Sequence, residues 1–202
     1  MKKLHHTLVS TLCVAAAALA GASVQAQGSG SDSVYSLYGR GTTHIGFNAG
    51  LTDYKLNDGT GLFGSDKNST AYNIYAGSYF TDSNLGMEVG YTDFGKVSRA
   101  GGSTKADGIN VSLIGRLPLG SSFSLLGKVG TTYSRTDVSA AAGSGVTSGS
   151  QSGFGWSYGV GAEYAFSRQW SGVLQYDEHN VAYAGSVNDR INITSLGVRY
   201  RY

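Results

Sequence analysis

The chain has 202 residues, among them 31 glycines, 14 tyrosines and one proline, and only 14% of it is charged, which fits neither a helical bundle nor a disordered polymer. A formal net charge of +2, with its basic residues scattered, leaves no footprint for nucleic acid. The length after any leader suits one domain, and there is no Pro-rich hinge to divide it.

Lys2 and Lys3 precede an apolar run from Leu8 to Ala20, and small residues close it at Val24-Gln25-Ala26. This reads as a secretory signal peptide over residues 1–26, cut after Ala26. Cys13 lies inside it, in the middle of the apolar run, so the expected mature chain has no thiol for a disulfide, a lipid anchor, a metal or catalysis. Residues 27–41 are expected to be an N-terminal arm or an extension of the first strand, since Tyr35, Leu37 and Gly39 keep that strand's phase.

Beyond residue 26 no apolar stretch approaches the roughly 20 residues of a spanning helix. Residues 42–202 instead alternate with period two in eight segments. Ile45, Phe47, Ala49 and Leu51 oppose His44, Asn48 and Thr52. Over Ala71 to Phe80 the phase is ambiguous, because Tyr72, Ile74 and Phe80 compete with Tyr75 and Tyr79. Leu85, Met87, Val89 and Tyr91 then oppose Gly86, Glu88, Gly90 and Thr92; Ile109, Val111, Leu113 and Leu117 oppose Asn110, Ser112 and Arg116; Phe123, Leu125, Val129 and Tyr133 oppose Ser124, Lys128 and Thr132. The clearest segment, Phe154 to Phe166, carries aromatics at both ends of its apolar face and aliphatics between, as two interfacial girdles around a lipid band would require. Trp170, Leu174 and Tyr176, with Gly172 on the same face, oppose Gln175 and Asp177. In the last segment Leu196, Val198, Tyr200 and Tyr202 share the outer face, and Arg199 and Arg201 must face a polar interior.

Strands that cross lipid must close into a barrel, because an open edge leaves backbone groups unsatisfied. The expected fold is therefore all-β, an eight-stranded antiparallel up-and-down transmembrane β-barrel. A soluble β-sandwich also alternates, but the lipid-compatible outer faces, aromatic belts and export signal together disfavour it. Links are short at 81–84, 118–122 and 167–169, and long at 53–70, 95–107, 137–152 and 177–190. The long ones are expected outside the cell, and the Ser/Gly-rich stretch 139–152 is expected to be mobile.

Three stretches, Leu85-Gly86-Met87-Glu88-Val89-Gly90-Tyr91-Thr92-Asp93-Phe94-Gly95, Gly159-Val160-Gly161-Ala162-Glu163-Tyr164-Ala165 and the terminal strand, resemble the third, sixth and eighth strands of the OmpA-type outer-membrane barrel. The resemblance spans essentially the whole mature chain and rests on the order and spacing of the motifs. It implies a Gram-negative outer-membrane location and a lumen crossed by charged pairs, with Glu88, Arg116, Lys128 and Glu163 at the inward positions; the strand phase adds Arg199 and Arg201. It also implies periplasmic chaperones and the barrel-assembly machinery as partners, with Leu196, Val198, Tyr200 and Tyr202 as the recognised assembly signal, and membrane lipid with lipopolysaccharide as neighbours. Two departures stand out. The peptidoglycan-binding domain of full-length members is expected to be missing, and Val173 and Gln175 stand where the family tends to place an inward arginine.

An interior that side chains just fill favours a plugged core over a channel. The leading expectation is a monomeric structural or surface-interaction barrel acting through its external loops, its ligand unnamed by the sequence. A narrow passive pore for ions or small solutes stands second. A lipid-modifying enzyme is a third reading, since Asp177, Glu178, His179 and Ser186 could be gathered on paper, but nothing fixes their geometry and the chain is expected not to be an enzyme. His44 and His179 are isolated, so no metal is expected; Gly143-Ser144-Gly145 and Gly159-Val160-Gly161 open no helix after a strand, so no cofactor is expected either.

Overall fold

A computed structural model describes residues 43–55, 68–81, 83–99, 101–141, 147–183 and 186–202. The signal peptide and the 27–41 arm lie outside the described residues. The strands are β1 (Thr43–Lys55), β2 (Asn68–Tyr79), β3 (Leu85–Arg99), β4 (Gly102–Pro118), β5 (Phe123–Ser139), β6 (Gly149–Ala165), β7 (Trp170–Tyr183) and β8 (Ser186–Arg201). Each pairs antiparallel with its neighbours in sequence, and β1 closes on β8 from His44↔Arg201 to Lys55↔Arg190.

Alternation places Phe47, Leu51, Ile74, Met87, Leu113, Val129, Val160, Leu174 and Leu196 on the outside, each exposed. The outer face ends in aromatics. Phe80, Phe123, Tyr164, Phe166, Trp170 and Tyr202 ring the end that carries the C-terminus, and Tyr72, Tyr133, Phe154, Trp156 and Tyr176 ring the far end. In β2 the competition is resolved by burial. Tyr75 and Tyr79 point inward, while Tyr72, Ile74 and Phe80 point outward.

Beyond the far aromatic ring the alternation reverses polarity without losing phase in β8. Arg190, Asn192 and Thr194 face out there, and Ile191 and Ile193 face in. In β4, Lys105 and Asp107 likewise follow the outward Ile109, and Ala106 lies buried inside. This inversion marks where the strands leave apolar surroundings and enter water, since charged outward residues belong outside the hydrocarbon band. The inward residues of that far segment, Tyr54, Ala71, Phe94, Val97, Ala106, Val138, Val181, Ile191 and Ile193, pack as one apolar cluster.

Three of the expected long links are thereby corrected. Residues 95–107 are mostly strand, since β3 runs to Arg99 and β4 starts at Gly102. Residues 177–190 lie largely in β7 and β8, and 137–152 shrink to a link between Ser139 and Gly149. Of the first long link, 56–67 lies outside the described residues, as does 142–146 of the stretch expected to be mobile. The β4, β5 and β6 strands have 17 residues each. A membrane crossing takes about 9–11, so each has strand to spare beyond one crossing, roughly 20 Å along the strand at about 3.3 Å per residue.

In β3 the period breaks at a bulge between Asp93 and Lys96, where Gly95 takes φ 80°. A side chain there would meet both the left-handed backbone and the Thr70 carbonyl, so only glycine fits this kink. The bulge returns Val97 to the interior.

Candidate functional site

The lumen is built in layers from the inward positions. Nearest the C-terminal end, Arg199 on β8 donates to Glu163 Oε2 at 3.2 Å and to Glu88 Oε2 at 3.4 Å. Arg201 lies 3.7 Å from Glu163 Oε1, which also accepts from Ser171 Oγ at 2.5 Å. Arg199 and Glu163 are 2% and 1% exposed, so their charges are compensated by one another rather than by water. Aromatic rings complete this layer: the Arg116 guanidinium sits 4.5 Å from the centre of Tyr79, and Arg199 5.3 Å from that of Tyr75.

One step further in, Lys128 bridges Asp177 at 3.0 Å and Glu88 at 3.8 Å. His44 Nε2 approaches the other oxygen of Glu88 at 3.3 Å. Beside them Asn48 donates to Gln175 Oε1 at 2.6 Å across the barrel. The positions Glu88, Lys128, Glu163, Arg199 and Arg201 are thus brought into one connected set, with Arg116 held against Tyr79 at its edge. Sequence reasoning left His44 isolated and read Asp177 into a long loop. Their inward phase was visible, but their partners lie across the lumen and depend on barrel closure.

A neutral layer follows. Asn110 donates to Ser157 Oγ at 2.6 Å and Thr132 Oγ1 at 3.0 Å, and Thr132 contacts His179 Nδ1 at 2.8 Å. The Phe94 ring meets His179 edge-on at 5.1 Å and opens the apolar cluster, where Tyr54 donates its hydroxyl to the Phe94 carbonyl at 3.1 Å. Two cavities bordered by Glu88 and Lys128 have volumes of about 10 Å³ each. Each has room for about one water.

The residues of the enzyme alternative do not converge. Asp177 and His179 point into the lumen, while Glu178 on the opposite face accepts from Tyr158 at 2.5 Å and pairs with Arg190 at 3.5 Å. Ser186 opens β8.

At the C-terminal strand Leu196, Val198 and Tyr202 lie exposed on the outer face. Tyr200 stacks edge-on between Trp170, at 5.0 Å, and Tyr202, at 5.2 Å, and the Tyr202 amide donates to the Thr43 carbonyl at 3.0 Å across the β1–β8 seam.

The family model described as "Outer membrane protein beta-barrel domain" matches residues 14–202. Among solved structures, Neisserial surface protein A superposes with a TM-score of 0.59 at 16% identity, covering 79% of this chain and 97% of that one. The attachment invasion locus protein of Yersinia pestis gives 0.54 at 18% identity, with 81% and 100% covered. The N-terminal β-barrel domain of Pseudomonas aeruginosa OprF gives 0.54 at 15% identity, with 81% and 100% covered. At such identities these matches establish the shared closed barrel. A search of curated protein sequences finds no match.

Proposed function

Because the chain belongs to the outer membrane protein β-barrel family, we propose that it is a non-conducting barrel of the bacterial outer membrane that presents its projecting strands to partners outside the cell. The observation that carries this reading is the doubly closed lumen. Buried ion pairs fill its membrane half, and the apolar cluster around Phe94 and Ile191 fills the half beyond. A hydrated ion needs a continuous wet path, and the cavities beside Glu88 and Lys128 hold about one water each. The projecting part includes the far ends of β3–β6, which carry Lys96, Lys105, Asp107, Arg135 and Asp137, and those of β7 and β8, with Arg190.

Purified protein reconstituted into planar bilayers is expected to give no unitary current steps at moderate voltage, while heat-modifiable migration on a gel shows that the barrel is folded. Reproducible steps from folded protein would favour the narrow-pore reading instead.

Assembly by periplasmic chaperones and the barrel-assembly machinery, with lipopolysaccharide as the outer-leaflet neighbour, forms part of the same proposal. Its support is the exposed face Leu196, Val198 and Tyr202 on the strand that closes the barrel, with Tyr200 packed among the aromatics there. Tyr202→Asp is expected to lower the membrane-inserted fraction in cells well below that of Ser148→Asp, a change in the exposed β5–β6 link. Equal insertion of the two variants would remove these residues as an assembly signal.

A further inference from the structure

The lumen stays closed to solvent down to the end that carries the C-terminus. Tyr79, Ala165 and Arg201 are the last inward residues of β2, β6 and β8, and Ser124 and Ser171 are the first of β5 and β7, yet none is more than 3% exposed. A mouth that opened directly on water would wet this final layer, so the layer has a cover.

The links at that end do not supply it. They are short, at 80–84, 119–122 and 166–169, and backbone bonds tie them to the rim: the Arg116 amide donates to the Asn84 carbonyl at 2.8 Å, and those of Ala165 and Arg201 donate to the Ser122 and Gln169 carbonyls at 2.7 Å. Their large side chains Phe80, Leu119 and Phe166 lie exposed. Eight strands about 4.8 Å apart and tilted by about 40° close on a diameter of roughly 16 Å, a span that links held at the rim leave open.

The chemistry beneath the cover says what suits it. Three guanidinium groups, Arg116, Arg199 and Arg201, lie buried at this end with Glu163, while Glu88 is shared with Lys128 and His44. The Tyr79 hydroxyl and Ser124 Oγ, also buried, have no hydrogen-bond partner among the described residues. A carboxylate carried on a polypeptide backbone fits both features, since it adds negative charge beside the arginines and carbonyl acceptors for the hydroxyls.

We propose that the chain's own segment 27–42, which precedes β1, lies across this mouth with the Asp32 carboxylate turned toward the arginines. The segment joins the barrel at the right place, because Thr43 sits on the rim, where its carbonyl accepts from the Tyr202 amide at 3.0 Å. Asp32 is its one acidic residue, and Val34, Tyr35, Leu37 and Tyr38 follow with the apolar surface that keeps water out. The stretch from Asp32 to Thr43 reaches at most about 36 Å, roughly twice the width to be crossed. Tethering also favours it over any separate peptide, since a short flexible linker gives an effective concentration on the order of millimolar.

The mature chain in lipid nanodiscs tests this through the reaction of Ser124→Cys with a water-soluble maleimide. The reaction is expected to be far slower than that of Ser148→Cys in the exposed β5–β6 link. Adding Asp32→Arg, which sets a like charge against the arginines, should speed it at least about tenfold, the factor implied by losing one charge-assisted hydrogen bond. Chymotrypsin gives a second readout without altering the barrel: Tyr35 and Tyr38 should resist cleavage in the unaltered folded chain and be cut in Asp32→Arg. That readout stands even where Ser124→Cys fails to fold, and heat-modifiable migration shows which variants have folded. Equal reactivity of the two cysteines, an Asp32→Arg change without effect on either readout, or ready cleavage at Tyr35 and Tyr38 in the unaltered folded chain would each overturn the proposal. The non-conducting reading is decided separately by bilayer recordings, since the ion pairs and the apolar cluster close the lumen with or without a covered mouth.

Discussion

Arg199→Leu is expected to lower unfolding stability by about 3–5 kcal/mol, the usual cost of removing one partner from a buried ion pair. The replacement fills much of the volume, so the loss comes from the two carboxylates left behind. Glu88 keeps Lys128 and His44, and Glu163 keeps Arg201 and Ser171, but each loses the guanidinium that lies within 3.4 Å. Urea titration of the refolded protein in micelles, followed by tryptophan fluorescence, reads the change. Adding Glu163→Gln to the leucine variant should recover part of it, with a coupling of about 0.5–3 kcal/mol between the two sites. A loss below about 1 kcal/mol for Arg199→Leu would mean that water, and not the arginine, solvates the carboxylates in the lumen.

The second large effect lies on the other face. Leu174→Arg and Val129→Arg place a cation at mid-band among Leu125, Val160 and Leu196, and each is expected to cost about 2–4 kcal/mol. The same change at Ser98, on the outer face beyond the polarity inversion, is expected to cost less than about 0.5 kcal/mol. Equal costs at all three sites would contradict a lipid band bounded by the aromatic rings.

Much of this architecture was legible in the sequence because a strand's period is two and the membrane penalises errors on one face. Phe154 to Phe166 and the terminal Leu196 to Tyr202 kept strict phase, and both fall where that phase places them. The inward charges Glu88, Arg116, Lys128, Glu163, Arg199 and Arg201 followed from the same rule. Their pairing did not. Arg199 reaches Glu88 and Glu163 on strands far away in sequence, and those contacts exist only once β1 closes on β8.

Three kinds of residue resisted the reading. Tyr75 and Tyr79 look like lipid-facing aromatics, yet a tyrosine inside a barrel can cover a guanidinium with its ring, as both do here. The far ends of β3, β4, β7 and β8 looked like loops because apolar and polar faces exchange places where the strands leave the lipid. The Gly95 bulge then shifted the phase of β3. The Ser/Gly-rich stretch had the composition of a linker throughout, but Gly149 to Ser152 are ordered as strand by their pairing with β5, a long-range cause that composition does not carry.

The claim on which the account rests is that lipid surrounds the barrel up to the polarity inversion and water surrounds it beyond. Nitroxide labels on single cysteines at outward positions of β5, in a mature chain whose only native cysteine, Cys13, falls within the expected signal peptide, measure this directly by collision with oxygen and with a water-soluble nickel complex. Leu125, Val129 and Tyr133 should favour oxygen, and Arg135, Asp137 and Ser139 the nickel complex, with the change between Tyr133 and Arg135. Nickel accessibility at Val129, or oxygen preference at Asp137, would contradict it.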